Sequence, residues 1–552
     1  MIASCLVRRK TSKNYIFDYL IPNELGTIES LSLVEVFFNN RKTDALVIEV
    51  KNQSPQAKQP VLRKLTSGSA ISKKQLDLAE KIAHEFLSDL PSAVFDFIPK
   101  LNKSDLKNIS FKKNTASGKK PEYIFLEGSY PERLNYYAQK INKEKQNLVI
   151  LPEISQIKFA IKTFNKLDPS IEIYPWHSQL SSKEKRIVLQ KLQSGENLTV
   201  ISARHGLFLP FTRLENIFLD QSQNFAFFED QEPSYNAYKL ALIATSIYKN
   251  NLIIGDSIAQ MQILTAILKK RFKKIKLKNE ISISLCPSLK NIFSNQKFLE
   301  DFKSSKRMLV LGYFKEITRF ICQDCEKEIA CGCKNNTFRD KSLLCIKCSA
   351  PVPVNCPQCK STKIKKIGMS FSKMIQKLEQ VFGKNSVSGE ITEGKIIVKS
   401  INELDKIESI YDLVLIPFFD YYSSLPYLNI TSALIRTIMD IRITGASRVY
   451  LSTDEENETA NLLVRRDIEK ILLKELFLRQ GEKMPPFTRY LEIENVAKIP
   501  HELSSIIDEK LWIKSKDKFI TFAKHSKVKV LQDYYQKKKP GWRMKLDSPD
   551  FV

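Results

Sequence analysis

Eight of the ten cysteines lie between Cys322 and Cys359, in four close pairs: Cys322/Cys325, Cys331/Cys333, Cys345/Cys348 and Cys356/Cys359. Two thiolates on one tight turn can offer two ligands to a zinc ion, so four pairs make up two closed tetrahedral sites. The segment has no histidine, and with every ligand a thiolate the expected role is structural rather than catalytic. A stretch this short cannot bury a core of its own, and metal stands in for one. One pair is irregular: it reads C-G-C where the others read C-x-x-C. The expectation is that Gly332 lets the backbone bend far enough to keep both sulfurs on one metal, and that this site is the more strained. Cys5 and Cys286 stand apart and read as small buried hydrophobes.

The elements that must carry these residues follow from pattern and composition. Short apolar runs alternate with helical stretches across 123–255, as in an α/β fold with a parallel sheet. The chain has 552 residues, of which 43% are hydrophobic and 27% charged, enough for several cores. It has no apolar run long enough for a membrane span. The opening "MIASCLVRRKTSKNYIFDYL" lacks the apolar centre of a signal peptide. A reducing compartment is therefore expected, where clustered cysteines bind metal rather than pair as disulfides. The formal charge of +26 attracts polyanions, nucleic acid first among them. "VLRKLTSGS" (61–69) carries two cations and "YYQKKKPGWR" (534–543) mixes cations with aromatics, stretches suited to single-stranded or branched DNA.

An ordered set of blocks then resembles the PriA family of replication-restart helicases. "YIFDYLIP" (15–22), "VEVFFNNRKTDALVIEV" (34–50) and 71–99 look like its N-terminal domain for the 3′ end of DNA. "LVILPEIS" (148–155), "WHSQLSSKEK" (176–185) and "ISARHGLFLPFTRLENIFLD" (201–220) match blocks of its first motor lobe, and "MPPFTRYLEI" (484–493) with "WRMKLDSPDF" (542–551) its C-terminal domain. The resemblance implies an α/β multidomain protein. A β-rich 3′-DNA-binding domain (1–100) and a linker (101–122), too short for the family's winged helix, precede lobe 1 and the start of lobe 2 (123–320). A double zinc module (321–362), the rest of lobe 2 (363–483) and a small α+β C-terminal domain (484–552) follow. Both lobes are RecA-like and degenerate. The family pattern further implies nested zinc pairs, with Cys322, Cys325, Cys356 and Cys359 on one ion and Cys331, Cys333, Cys345 and Cys348 on the other.

The motor stations depart from the family. A P-loop needs glycines to wrap phosphates in backbone amides, a lysine to neutralise them and a hydroxyl to hold Mg²⁺. Here Gly128 and Ser129 are followed by Tyr130, Pro131 and Glu132, and the nearest cations, Arg133 and Lys140, fall inside the next helix. The acidic box keeps Asp220 but continues with Gln221 and Gln223. The coupling motif reads "IIGDSIAQ" (253–260), and the arginine-finger region (438–447) leaves only Arg442 and Gly445. The strand-coupling block is absent around 395–408. The nucleotide site is thus read as degenerate at Gly128, Ser129 and Asp220, with no catalytic residue and no use of ATP or Mg²⁺.

The resulting expectation is a cytoplasmic, nucleoid-associated protein that binds forks, single strands and 3′ ends. It would assist loading of the replicative helicase without unwinding DNA. Single-strand-binding protein and the replicative helicase or its loader are the implied partners, with no membrane. Two other readings stay open, an active 3′–5′ helicase with a divergent nucleotide site and a zinc-stabilised RNA-binding protein. By resemblance, Asp18 would meet the terminal base of a 3′ end, Phe17 or Tyr19 would stack on it, and Arg41 and Lys42 would contact phosphate. Phe17 and Tyr19 alternate with Asp18 along a strand, so at least one of them is expected in the core. Asn39-Asn40 tolerates a left-handed turn.

Overall fold

The computed structural model describes residues 1–547 except 9–15, 99–100, 102, 108–119, 279–280, 313–316, 334–335, 337, 340–341, 346–347, 368–370, 385, 389–394, 402–409, 424–429, 454–455, 496–498, 500, 508–512, 516–517 and 537–542. The N-terminal sheet is antiparallel, in the order Ile16–Leu20, Ile2–Val7, Arg41–Lys51, Ser32–Phe38, Val61–Ser69. Asn39 and Asn40 both take left-handed angles (φ 48° and 58°) in the two-residue hairpin, a turn whose twist matches that of its strands. The helix Lys73–Glu85 starts on a reciprocal cap between Ser72 and Gln75. Of the linker, 108–119 lies outside the described residues, and so does most of the reading that a winged helix is missing there.

Two parallel sheets follow. The first runs Lys273–Lys276, Tyr123–Glu127, Asn251–Asp256, Leu214–Asp220, Gln146–Ile150, Leu198–Ser202, Ile173–Trp176. The second runs Ser282–Cys286, Arg448–Ser452, Leu413–Ile416, Met308–Gly312, Ile396–Ser400, Val387–Ser388. Their central strands are buried throughout and mostly apolar, as covering on both faces demands. The register Asp256↔Glu127 and Asp220↔Gly255 brings three carboxyl ends side by side, where open α/β sheets place their sites.

The cysteine module leaves lobe 2 after Met308–Gly312 on the strand Ile317–Cys322, which pairs antiparallel with Ile364–Ile367. A C-terminal antiparallel sheet (Ile513–Ser515, Lys518–Ala523, Arg489–Glu494, Arg543–Leu546) packs with helices His501–Ile506 and Val528–Gln536. Buried ions fasten it to the rest. Arg489 donates to Glu85 of the N-terminal helix at 2.9 Å and to Asp547 at 2.8 Å, and Lys239 of lobe 1 also pairs with Asp547. Among the described residues no helix is long and apolar enough to cross a membrane.

Candidate functional site

At the end of Tyr123–Glu127 the chain turns directly into the helix Tyr130–Lys140, with Pro131 in its first turn and no side-chain cap from Ser129. Gly128 offers this turn a carbonyl rather than an amide, accepting from Arg133 Nη1 at 2.5 Å. From the other side Leu277 closes on it, and a Cβ on Gly128 would lie 2.7 Å from the Leu277 Cβ. Arg133 then forks onto Asp220, Nε to Oδ1 at 2.7 Å and Nη2 to Oδ2 at 2.8 Å, while Tyr137 donates to Oδ1 at 2.6 Å. Neither side chain of the pair is exposed to solvent. Gly255 makes room for them: a Cβ there would sit 1.7 Å from the Tyr137 hydroxyl oxygen.

The helix Ile430–Asp440 of lobe 2 reaches into the same place. Arg436 Nε lies 3.1 Å from Asp256 Oδ1, and Asp440 accepts from the Ser257 hydroxyl and lies 3.8 Å from Arg133 Nη1. Three carboxylates thus share two guanidiniums. Asp256 takes the surplus: burial pushes its carboxyl up to about 6, against the pull of Arg436 and Arg133.

Of the residues singled out by motif, Gly128, Ser129 and Asp220 do converge. Tyr137 and Arg436 carry no motif signal, Asp256 and Asp440 fall inside the coupling and arginine-finger stretches without being singled out there, and Arg133 reads in the sequence only as a misplaced substitute for the P-loop lysine. A further trace in the sequence is spacing, since Arg133/Tyr137 and Arg436/Asp440 are polar pairs four apart on helices. Gly445 is a left-handed turn residue (φ 83°), and the side chain of Arg442 lies outside the described residues.

A pH dependence follows. Asp256, and Asp89 through burial and its neighbour Glu232, both stand at about 6 against an ordinary 3.8. The folded chain holds these protons more tightly than the unfolded one, so stability should rise as pH falls from 7 through 6 towards 4. Asp18 and Asp547, held at about 2, act oppositely and lose their contribution between 3.8 and 2. Urea midpoints across pH should therefore peak near 4 to 5. A flat or rising profile from 5 to 7 would contradict these environments.

The cysteines form two groups, Cys322, Cys325, Cys356, Cys359 and Cys331, Cys333, Cys345, Cys348, with the sulfurs of each within 4.8 Å of one another. Adjacent sulfurs stand 3.4 and 3.7 Å apart in the first and 3.1 to 3.6 Å apart in the second. A tetrahedron with bonds of about 2.3 Å has edges of ~3.8 Å, so each group can hold a metal ion and four thiolates suit zinc. Each C-x-x-C pair is followed by a left-handed residue, Glu326, Ser349 or Lys360 (φ 57°, 57° and 63°). The amides of Cys322, Cys345 and Cys356 close these turns onto the carbonyls of Lys327, Ala350 and Ser361.

The C-G-C pair differs from expectation. Gly332 is not among the left-handed residues, and a Cβ there would meet open space. Backbone need does not explain this glycine. The two groups also share one burial pattern, so exposure does not set the site holding the C-G-C pair apart from the other. Strain sits in the other three turns. Lys360→Gly should stabilise the module by about 0.5–1 kcal/mol, because a left-handed conformation is costly for a residue with a Cβ. Chelator midpoints for the variant and its parent measure this.

On the N-terminal sheet, Asp18 accepts from Ser4 at 2.7 Å, Ser54 at 2.5 Å and Lys51 at 2.8 Å. Burial raises its pKa, but the hydrogen bonds from Lys51, Ser4 and Ser54 and the Lys51 charge outweigh this and hold it at about 2. Phe17 and Tyr19 project to the opposite face. Tyr19 is core and donates to the Phe37 carbonyl, and Phe17 is half-buried with its ring 4.9 Å from Phe38. Arg41 and Lys42 are exposed and sit across the hairpin from Phe38 and Phe37, the residues that Phe17 and Tyr19 touch. Asp18 and its two aromatic neighbours therefore occupy opposite faces of the strand.

The family described as the PriA 3′DNA-binding domain (3′BD) matches residues 7–99. Among curated proteins the chain is 25% identical over 296 residues to a replication restart protein PriA of Borreliella burgdorferi, covering 48% of this chain and 43% of that one. For Helicobacter pylori the identity is 28% over 281 residues (46% and 42%), and for Rickettsia conorii 24% over 401 residues (63% and 60%). The chain thus spans less than half the length of the first two. Among solved structures, RecG bound to a three-way DNA junction aligns with a TM-score of 0.38 at 10% identity over 75% of this chain and 50% of that one. S. cerevisiae Dbp5 bound to RNA and ADP BeF3 aligns at 0.33 and 10% over 65% and 90%. Residues 7–99 thus match the PriA 3′DNA-binding domain, and the chain is similar to replication restart proteins PriA over about half of its length.

Proposed function

We propose that the protein is a replication-restart factor that binds forked or 3′-ended DNA and assists loading of the replicative helicase without hydrolysing ATP. One observation carries the second half: the Arg133 guanidinium sits on Asp220 and the Gly128 carbonyl, in the space that phosphate and Mg²⁺ would need. Phosphoryl transfer needs donors aimed at the phosphates and a carboxylate free for the metal. Here a carbonyl faces inward and the carboxylate is already neutralised. The test is nucleotide hydrolysis with forked DNA. Turnover should stay at background, and DNA-stimulated hydrolysis that disappears on mutating 128–133 would restore the active helicase.

DNA binding rests on the family match and on the charge of +26, and affinity should fall steeply with salt. Asp18 is proposed as the contact to the terminal base, with Arg41 and Lys42 as phosphate contacts. Asp18→Ala should lower the preference for a free over a blocked 3′ end several-fold. Equal loss on both ends would mean that Asp18 only ties Ser4, Ser54 and Lys51 together. Two zinc ions are proposed for the two cysteine groups, and the domain divisions drawn from the sequence stand as part of this reading.

A further inference from the structure

Three contacts of the cleft network cross from lobe 1 to lobe 2: Arg436 to Asp256, Ser257 to Asp440 and Arg133 to Asp440. Arg436 is also 3.6 Å from its own helix neighbour Asp440, and Arg133 is forked on Asp220. Each lobe thus carries half of a charged cluster that the other half completes. The site is dry. Arg133, Asp220 and Asp256 have no exposed side-chain area, and Asp440 and Arg436 have 6% and 16%. Around it Ile258 and Ala259 of lobe 1 and Ile435, Ile438 and Ile441 of lobe 2 belong to one continuous buried cluster.

Motor lobes of this kind open and close because the ligand between them is exchangeable. Here the bridging groups are side chains and cannot leave. We propose that Arg436, Asp440, Asp256 and Ser257 form a permanent inter-lobe lock in the place of a nucleotide, so that the two lobes grip DNA as one rigid body. The idea rests on the non-hydrolysing reading above, and its test separates the two. Opening the lock would leave Asp256 and Asp440 short of partners in poorly solvated surroundings, which strongly favours the closed arrangement.

The experiment places non-cysteine spin labels at exposed Lys166 in lobe 1 and Lys303 in lobe 2 of the full chain. One narrow distance is expected, unchanged by ATP, a non-hydrolysable analogue or forked DNA. Arg436→Met and Asp440→Asn should each broaden it. A second distance in the wild type, a shift on adding nucleotide, or narrow distributions in both variants would overturn the lock. The wild-type arm needs no variant to fold. Hydrolysis with a fixed distance would sink the functional reading alone.

A separate observation lies at the edge of the first sheet. Residues 269–278 read KKRFKKIKLK, with Lys269, Lys270, Arg271, Lys273, Lys274, Lys276 and Lys278 in one short run. All seven are exposed. Among the described residues only Lys274 has an acidic partner, Glu127 at 2.9 Å. Among the described residues Lys273–Lys276 pairs with Tyr123–Glu127 alone, so its outer edge also presents backbone amides. Lysines guard sheet edges against aggregation, but a few suffice for that. We infer that this edge binds the phosphate backbone of nucleic acid without reading sequence, as a second contact apart from the 3′-end domain. It rests on DNA binding by the whole chain, which the unmodified protein tests first.

Lys273→Gln, Lys276→Gln and Lys278→Gln together leave the Glu127 pair intact. On a blunt duplex with blocked 3′ ends, the triple variant should lower the slope of log affinity against log salt by about 2 to 3, since each phosphate neutralised by a lysine adds about 0.9 to that slope. An unchanged slope, with or without aggregation, would leave the lysines only a protective role. Failure of the parent to bind duplex would instead remove the reading on which this rests.

Discussion

Stripping metal from both cysteine groups should unfold residues 317–367 and leave the two parallel sheets standing. The module has little else to hold it. Among the described residues its strands are Ile317–Cys322, Phe338–Arg339 and Ile364–Ile367. Apart from cysteines, its buried apolar cluster consists of Phe320, Ile329 and Phe338, with Ala350, Val352 and Ile364 at its margin. At roughly 25 cal/mol per Å² of apolar area, so few side chains cannot offset ~1 kcal/mol or more of backbone entropy per residue. Structural zinc contributes about 10–16 kcal/mol per site at neutral pH, which closes the gap. The chelated protein should release two zinc ions. Amide exchange should then rise by orders of magnitude across 317–367 but hardly change in Gln146–Ile150 or Leu413–Ile416. Release of fewer than two ions, or a protected module after chelation, would show that the thiols are held some other way.

The cysteine module was the most legible part of the chain because zinc ligation is local in sequence. Three of the four pairs are short turns whose chemistry is written in their own residues, and only the reason for Gly332 was misjudged. The parallel sheet of lobe 1 was legible for a similar reason, since each strand is a run of adjacent apolar residues. What stayed hidden were contacts with no local cause. Arg133 and Asp220 are 87 positions apart and Ser257 and Asp440 are 183 apart. Nothing at either position announces the other, and an arginine in a helix of mixed polarity reads as surface until the sheet closes over it. For Asp18 the strand alternation showed that its aromatic neighbours face the other way, whereas Ser54 and Lys51 come from a strand end and loop that local pattern could not bring to it.

Replacing Arg133 by Met should cost lobe 1 about 3–5 kcal/mol, the loss expected when a fully buried ion pair gives up one partner. Methionine fills much of the same volume, so the cost is electrical rather than steric. Asp220 keeps the Tyr137 hydroxyl at 2.6 Å but is deprived of both guanidinium donors. Its charge would then face Asp256 and Asp440 with Arg436 as the one guanidinium left among three carboxylates. Asp220→Leu alone should cost a similar amount by taking the forked carboxylate from buried Arg133, which keeps the Gly128 carbonyl and the more distant Asp440. The double variant is the informative one. With both charges gone neither member of the pair is left without its partner, and stability should return to within about 1–2 kcal/mol of the parent, because well-packed apolar replacements for buried pairs are often neutral or better. Denaturant midpoints followed by a probe in lobe 1 would give the cycle. A double variant as unstable as the sum of the singles would mean that packing around Tyr137 and Gly255, not charge, holds the cleft. Recovery in the double variant, with nucleotide hydrolysis still at background, would mean that apolar side chains can replace the pair with little cost to the fold and that restoring turnover takes more than emptying the site.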